Sequence, residues 1–235
     1  SVSSIDTQSD TTSECSSVII TVSTNGIDTA NIKTKLEYKG ERNSQGEYHG
    51  HGIMRWLNGD VFAGLWVRGL REGLGTCHFG KGAVYVGEWK CDKMNGQGMY
   101  QWPDGQKYIG DFVENFMEGS GKCEYENGSE YIGGFKCNKR HGRGRFQCKN
   151  GSEIIGIYRD DCLDGPVIIR HASGVVDVDY WENGTPVGGG VRWTADKKYV
   201  CELNKGKLGE QMTLCQGKII TEKIKTALKG GLHDI

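Results

Sequence analysis

A repeat of 23 residues runs through most of this 235-residue chain and limits its fold more than any other feature. The clearest sign is a glycine with an aromatic residue two places later, and successive pairs lie 23 positions apart. The five pairs are Gly64/Trp66, Gly87/Trp89, Gly110/Phe112, Gly133/Phe135 and Gly156/Tyr158. A Gly-x-Gly pair and a turn-type pair ending in glycine return at the same interval. A fixed period of about 20–50 residues indicates a solenoid or repeat array.

The period that spans residues 85–107 has the pattern of a β-hairpin. Its first part alternates, so that Tyr85, Gly87 and Trp89 share one face of a strand. A turn and a second strand follow, and an Asp-Gly pair ending at Gly105 leads into the next period, which is a strong hairpin signal. An isolated hairpin is marginal in water. We therefore expect an all-β fold, a single-layer elongated antiparallel sheet of stacked 23-residue hairpins.

Aromatic residues at two phases of the repeat would form two columns along such a sheet. The first column is Trp66, Trp89, Phe112, Phe135 and Tyr158, and the second is Trp56, Phe79, Trp102 and Tyr125. Aromatic side chains bury a large area, so we expect most of these rings to form the core. Rings that stacking does not need would anchor a partner. The candidate partner-binding residues in the middle of the array are Trp56, Trp66, Trp89, Trp102 and Phe112.

The motif Tyr-x-Gly-x-Trp, then Gly-x-Gly, then Asp-Gly, at 23-residue spacing, resembles the MORN (membrane occupation and recognition nexus) repeat over residues 38–199. The resemblance implies a non-catalytic scaffold or adaptor, at a cytoskeletal or membrane-associated structure. An extended twisted sheet of this kind would bind a protein partner along its trough. Similar repeats precede SET methyltransferases and phosphatidylinositol phosphate kinases, so a targeting module of a larger enzyme is an alternative. Residues 200–235 are too short for such a domain, and we expect no catalysis here.

A cluster of basic residues in one repeat suggests a different role. Its members are Lys136, Lys139, Arg140, Arg143, Arg145 and Lys149. The preceding repeat is acidic, so neighbouring hairpins of opposite charge, with both faces solvated, explain the cluster structurally. The functional alternative is a site for anionic phospholipid headgroups or an acidic protein segment, which would make the chain a peripheral membrane adaptor.

The two ends of the chain depart from the repeat. Residues 1–35 begin rich in Ser and Thr, and we expect them to be disordered, with a short strand at residues 18–22 that caps the array or docks on another protein. Residues 36–215 form the array. In residues 216–235 the apolar side chains recur at helical spacing, which predicts a short helix and tail. That helix either caps the sheet or lies on a membrane surface.

Composition and motifs exclude several kinds of chemistry. A net charge of −1 does not favour nucleic acid as a partner. The nine cysteines form no Cys-x-x-Cys pair, so we expect no metal site and interpret them as reduced, mostly buried residues of a cytoplasmic protein. No phosphate-binding loop or nucleophile elbow occurs, and we expect no cofactor.

Overall fold

The structure, a computed structural model, describes residues 37–230. Seventeen strands and one helix follow each other along this part of the chain. They are β1 (Glu37–Arg42), β2 (Tyr48–Arg55), β3 (Val61–Val67), β4 (Leu70–His78), β5 (Val84–Lys90), β6 (Lys93–Gln101), β7 (Lys107–Val113), β8 (Phe116–Glu124), β9 (Glu130–Lys136), β10 (Lys139–Gln147), β11 (Glu153–Arg159), β12 (Cys162–Arg170), β13 (Val176–Glu182), β14 (Thr185–Pro186), β15 (Gly190–Trp193), β16 (Val200–Asn204), β17 (Lys207–Met212) and α1 (Leu214–Gly230).

All the strand pairs are antiparallel and nearly all join neighbours in the sequence. From β1 to β13 each strand pairs with the next. Strand β13 then pairs with both β14 and β15, and β15 leads to β16 and β17. In the part of the chain that the structure describes, the sheet therefore stays open between β1 and β17. The prediction of an all-β sheet of stacked hairpins with a C-terminal helix is confirmed.

Two-residue turns join the strands within a repeat. Cys91 and Asp92 connect β5 to β6 with φ angles of 48° and 67°, and Glu114 and Asn115 connect β7 to β8 with 49° and 75°. Two successive residues with positive φ are the mark of a type I′ turn, whose twist matches that of the flanking strands. Asn and Asp tolerate this conformation better than most residues, which explains their recurrence at the second position.

A bulge in the second strand of the hairpin explains the first glycine of the Gly-x-Gly pair. Gly87 pairs with Gly98, whereas Trp89 pairs with Met94, so the second strand carries extra residues between them. Gly96 lies in this bulge at a φ of 87°, where a Cβ atom is disfavoured. The Gln97 amide, also in the bulge, donates a hydrogen bond of 2.9 Å to a carboxylate oxygen of Glu88 on the facing strand.

The second glycine of each pair makes room for an aromatic ring. Gly87 and Gly98 face each other across the strands, and the ring of Tyr85 lies over both. A Cβ atom on Gly98 would lie 2.4 Å from the Tyr85 hydroxyl oxygen, closer than any real contact. Facing glycines continue from strand to strand between Gly40 and Gly156. We call the side that carries these rings the aromatic face and the other side the opposite face.

The C-terminal helix packs on the opposite face, at one end of the sheet. Its residues Ile224 and Leu228 are buried against Ile168, Val178 and Val191. The helix begins at Leu214, two residues before the predicted boundary at 216, because Thr213 and Gln216 form a capping box. The strand predicted at residues 18–22 and the disorder predicted for residues 1–35 lie outside the described residues.

Cysteine burial differs from the sequence-based expectation. Of the eight cysteines in the described part of the chain, Cys77 and Cys123 are buried on the aromatic face, and no disulfide joins any of the eight. Four are exposed, at positions 91, 137, 162 and 215, so the prediction that most are buried is wrong. Two of these, Cys91 and Cys137, are the first residues of type I′ turns, which project from the edge of the sheet.

Candidate protein-binding surface

Nine rings interlock on the aromatic face and form its floor. They are Trp66, Phe62, Trp89, Tyr85, Phe112, Tyr108, Phe135, Tyr131 and Tyr158, in order along the array. Each ring meets the next edge to face, with centroids between 4.9 and 5.2 Å apart. This arrangement is the one that the charge distribution of aromatic rings favours. The rings therefore hold successive repeats together.

Three of the five predicted partner-binding residues belong to this floor. Trp66, Trp89 and Phe112 are only 2%, 4% and 2% exposed. The indole N–H of Trp89 donates to the Gly75 carbonyl oxygen at 3.3 Å, so its polar edge is also used within the sheet. Their assignment as binding anchors is corrected accordingly: they are core residues, because each fills the space between two neighbouring rings.

The other two predicted residues, Trp56 and Trp102, lie beside the floor and are half-buried. Tyr100, Tyr125 and Phe146, farther along this face, are half-buried as well. Tyr100 bridges Phe79 and Trp102, with ring centroids 5.9 and 4.8 Å away. Tyr100 and Phe146 escaped the sequence analysis because they precede the second aromatic column by two positions. Strand alternation is the signal that would have found them.

Two arginines at the same phase of the repeat pack against rings of the floor. Arg71 is buried, its guanidinium 4.1 Å from the Trp89 ring centroid and its Nε 3.0 Å from Oδ1 of Asp92. Arg140 repeats this geometry, with Nε 3.0 Å from Oδ1 of Asp161 and its guanidinium 5.1 Å from the Tyr158 centroid. Burial alone would lower the pKa of Arg140, but nearby groups including Asp161 outweigh it and raise the pKa.

These contacts separate Arg140 from the rest of the predicted basic cluster. Lys136 and Lys139 face each other across the β9–β10 hairpin and are exposed, as is Arg143. Arg145 forms an ion pair with Glu153 on the opposite face, and Lys149 is an exposed turn residue. The structure therefore does not bring the six cations into one site, and Arg140 already serves the aromatic face.

The Asn and Asp residues of the type I′ turns have a second task that the sequence analysis missed. The side-chain oxygen of Asn138 accepts a hydrogen bond of 2.7 Å from the Met117 amide of the preceding repeat. Its own amide donates to the Met117 carbonyl at 3.1 Å. Asp92, Asn115 and Asp161 make the same pair of bonds one or two repeats away. Each turn thus ties two neighbouring repeats together.

The described residues offer little for metal chemistry. No group of three or more His, Cys, Asp or Glu side chains in residues 37–229 is placed to hold a metal ion. Within the same part of the chain, the single helix is too short and too polar to cross a bilayer.

Comparison with known proteins decides the family. The MORN repeat matches five consecutive segments, residues 44–61, 62–84, 85–107, 108–130 and 131–153. This chain is a MORN repeat protein. The last four matched segments begin at the tyrosine or phenylalanine that covers the facing glycines, so the MORN unit corresponds to one hairpin and its turn. No curated protein matches the chain.

Solved structures of similar shape come from another group of proteins. The TCP domain of SAS-4 (dCPAP) from Drosophila melanogaster, in complex with a proline-rich motif of Ana2, is 13% identical with a TM-score of 0.43. The similarity covers 68% of this MORN chain and 86% of that domain. A point mutant of the TCP10 domain of CPAP from Danio rerio is 15% identical, with a TM-score of 0.32 and coverage of 75% and 94%.

Proposed function

We propose that this MORN chain is a non-catalytic scaffold that holds an extended segment of a partner protein on its aromatic face. The observation that carries the proposal is the set of half-buried rings beside the floor, Trp56, Tyr100, Trp102, Tyr125 and Phe146. Partly exposed Trp and Tyr side chains offer large apolar area with a polar tip, and they are enriched among residues that dominate binding energy.

The spacing of the strands sets the length of the segment that these rings would bind. Trp56 follows β2 and Phe146 lies in β10, eight strand intervals apart. At about 4.8 Å per interval the rings span roughly 38 Å. An extended chain advances about 3.3 Å per residue, so about 12 residues would cross them all.

Packing of the half-buried rings against their aromatic neighbours favours tight binding by these rings. Tyr125 lies 5.6 Å from Phe146, and Tyr100 lies between Phe79 and Trp102, so their rotamers are restrained before any partner arrives. Side chains that are already ordered lose less entropy on binding. A partner segment with apolar side chains at alternate positions would contact these rings along one side.

Selection from a random library of 12-residue peptides, with the full chain as bait, tests this function. The affinity of selected peptides is measured by fluorescence anisotropy for the chain and for the double variant Trp102→Ala/Tyr125→Ala. We expect a loss of at least about tenfold, since one binding hot spot contributes about 2 kcal/mol or more. The matched control is Leu74→Ala/Val86→Ala, whose side chains are exposed on the opposite face. Selected peptides that bind the aromatic variant as tightly as the control variant would refute the assignment.

The exposed cations support a second candidate, binding of anionic phospholipids. Lys136 and Lys139 face each other where the β9–β10 hairpin turns, Arg143 is exposed in the middle of β10, and no carboxylate of the described residues forms a salt bridge with any of the three. Co-sedimentation with vesicles that contain phosphoinositide would then fall with rising salt, because exposed charges are screened. It would also be lost in Lys139→Glu/Arg143→Glu. Pelleting that is unchanged in this variant would eliminate the lipid site.

A further inference from the structure

The place where α1 docks is the end of a longer row of facing residues on the opposite face, in which apolar stretches are interrupted by Arg145 and Lys122. Ile168 and Val178, which α1 covers, face each other across β12 and β13. Ile168 in turn faces Ile155 across β11 and β12. The facing residues continue strand by strand toward the N-terminal end of the array. The described helix packs mainly on four strands at this end, β12, β13, β15 and β16.

Six strands at the other end carry an uncharged stretch of the same series. We call it the aliphatic row, and it consists of Ile53, Ala63, Thr76, Val86, Met99 and Ile109. Its neighbours at the ends are Lys39 and Lys122, so charge bounds it on both sides. Ile53, Val86 and Ile109 are each more than two-fifths exposed.

Leucines and valines of one repeat widen the aliphatic row. Leu65 and Val67 follow Ala63 at alternate positions of β3, and Leu70 and Leu74 lie on β4 beside them. Leu74 is 72% exposed, the most exposed of the large apolar side chains on these two strands. In the next repeat, the positions equivalent to Leu65 and Val67 hold Glu88 and Lys90 instead. Contiguous exposed apolar area of this kind marks an interaction site.

We propose that the aliphatic row binds an amphipathic α-helix of a partner protein, with apolar residues spaced as in α1. Ile220, Ile224 and Leu228 of α1 recur every four residues, and this stripe already fits the same series of facing residues at its C-terminal end. The lengths also agree. Five strand intervals of about 4.8 Å span roughly 24 Å, and a helix as long as α1 spans about 25 Å at 1.5 Å per residue.

The sheet itself argues for a helix as the occupant. The strands β2 to β7 pair on both sides, so their backbone groups are already used and a partner strand cannot add to them there. A helix satisfies its own backbone and needs only an apolar surface for its stripe. This surface lies on the side of the sheet away from the half-buried rings, so the inference is independent of the proposed peptide-binding function.

A synthetic peptide with the sequence of α1, Leu214–Gly230, is the probe. Its binding to the full chain is measured by fluorescence anisotropy in reducing buffer, and we expect the variant Ile109→Glu to weaken it at least tenfold. The matched control is Ile132→Glu, at the same phase of the next repeat and outside the aliphatic row. Both isoleucines are 45% exposed, so neither change disturbs the core. A peptide carrying Ile224→Glu should not bind.

The proposal is overturned by any one of the following results. Absence of peptide binding at millimolar concentration would do so, as would equal weakening by Ile109→Glu and Ile132→Glu. Sedimentation velocity of the chain alone tests whether a second copy is the occupant. A dimer that Ile109→Glu dissociates and Ile132→Glu leaves intact would assign the row to self-association instead.

Discussion

Replacing Trp89 by Ala distinguishes a core role from a binding role for the first aromatic column. The side chain is 4% exposed and its ring meets Phe62 and Tyr85 edge to face, each with a centroid separation of 5.2 Å. Removing a buried Trp or Phe side chain costs about 3–5 kcal/mol. The Arg71 guanidinium, 4.1 Å from the ring centroid, loses its stacking partner too. We therefore expect a loss in the upper half of that range, about 4–5 kcal/mol.

Urea unfolding followed by far-UV circular dichroism at 25 °C measures this loss. Trp102→Ala is the matched control, because that side chain is only half-buried and should cost about 1–2 kcal/mol, in proportion to the apolar area it buries. Trp89→Phe should also cost only about 1–2 kcal/mol, because a smaller aromatic ring still fills most of the space. The equivalent positions of the next two repeats hold Phe112 and Phe135. Equal costs for Trp89→Ala and Trp102→Ala would refute the view that the two columns have different roles.

Three further changes test how each repeat is built. Gly98→Ala would place a Cβ atom 2.4 Å from the Tyr85 hydroxyl, and we expect overpacking to cost at least about 1–3 kcal/mol; an unchanged melting temperature would contradict this. Asn138→Gly removes the hydrogen bond from the Met117 amide and should lower the free energy of unfolding in urea by about 1 kcal/mol. Asn138→Ala should lower it by about 1 kcal/mol more, because alanine is strained at the left-handed φ of this position. Equal stability of the two variants would contradict a cost from the left-handed φ. Burial raises the pKa of Cys123 to about 11. Iodoacetamide at pH 8 should therefore leave Cys123 unmodified, as measured by peptide mapping, until the chain is unfolded. Rapid labelling of the native chain would argue against the burial of Cys123.

Much of the fold was readable from the period alone. A 23-residue interval with Tyr85, Gly87 and Trp89 on alternate positions is compatible with few structures other than a stacked hairpin. The same pattern identified the MORN family. The helical spacing of Ile220, Ile224 and Leu228 indicated the C-terminal helix, with a segment boundary at residue 216, whereas the helix begins at Leu214. The capping box formed by Thr213 and Gln216 was a readable signal that would have corrected that boundary.

The functional roles of individual side chains were harder to read, because they depend on contacts between repeats. The sequence could not distinguish the buried Trp89 from the half-buried Trp102, because both are tryptophans at positions that are aromatic in most repeats. The grouping of Arg140 with Lys139 reflected closeness in sequence, whereas its actual partner, Asp161, lies in the next repeat. Asn138 was understood as a residue that tolerates a left-handed turn, but its bond to Met117 crosses a repeat boundary.

The sequence by itself therefore determined the repeat, the hairpin and the family, because these follow from local alternation and from glycines at regular intervals. Only the tertiary structure decided which rings form the floor, which cations are already paired and how much of the opposite face α1 covers. The physical reason is that burial depends on which surfaces neighbouring repeats and the helix bring together. Residues at one phase of the repeat, such as Ile109 and Val178, consequently differ in exposure even though they occupy the same row of the sheet.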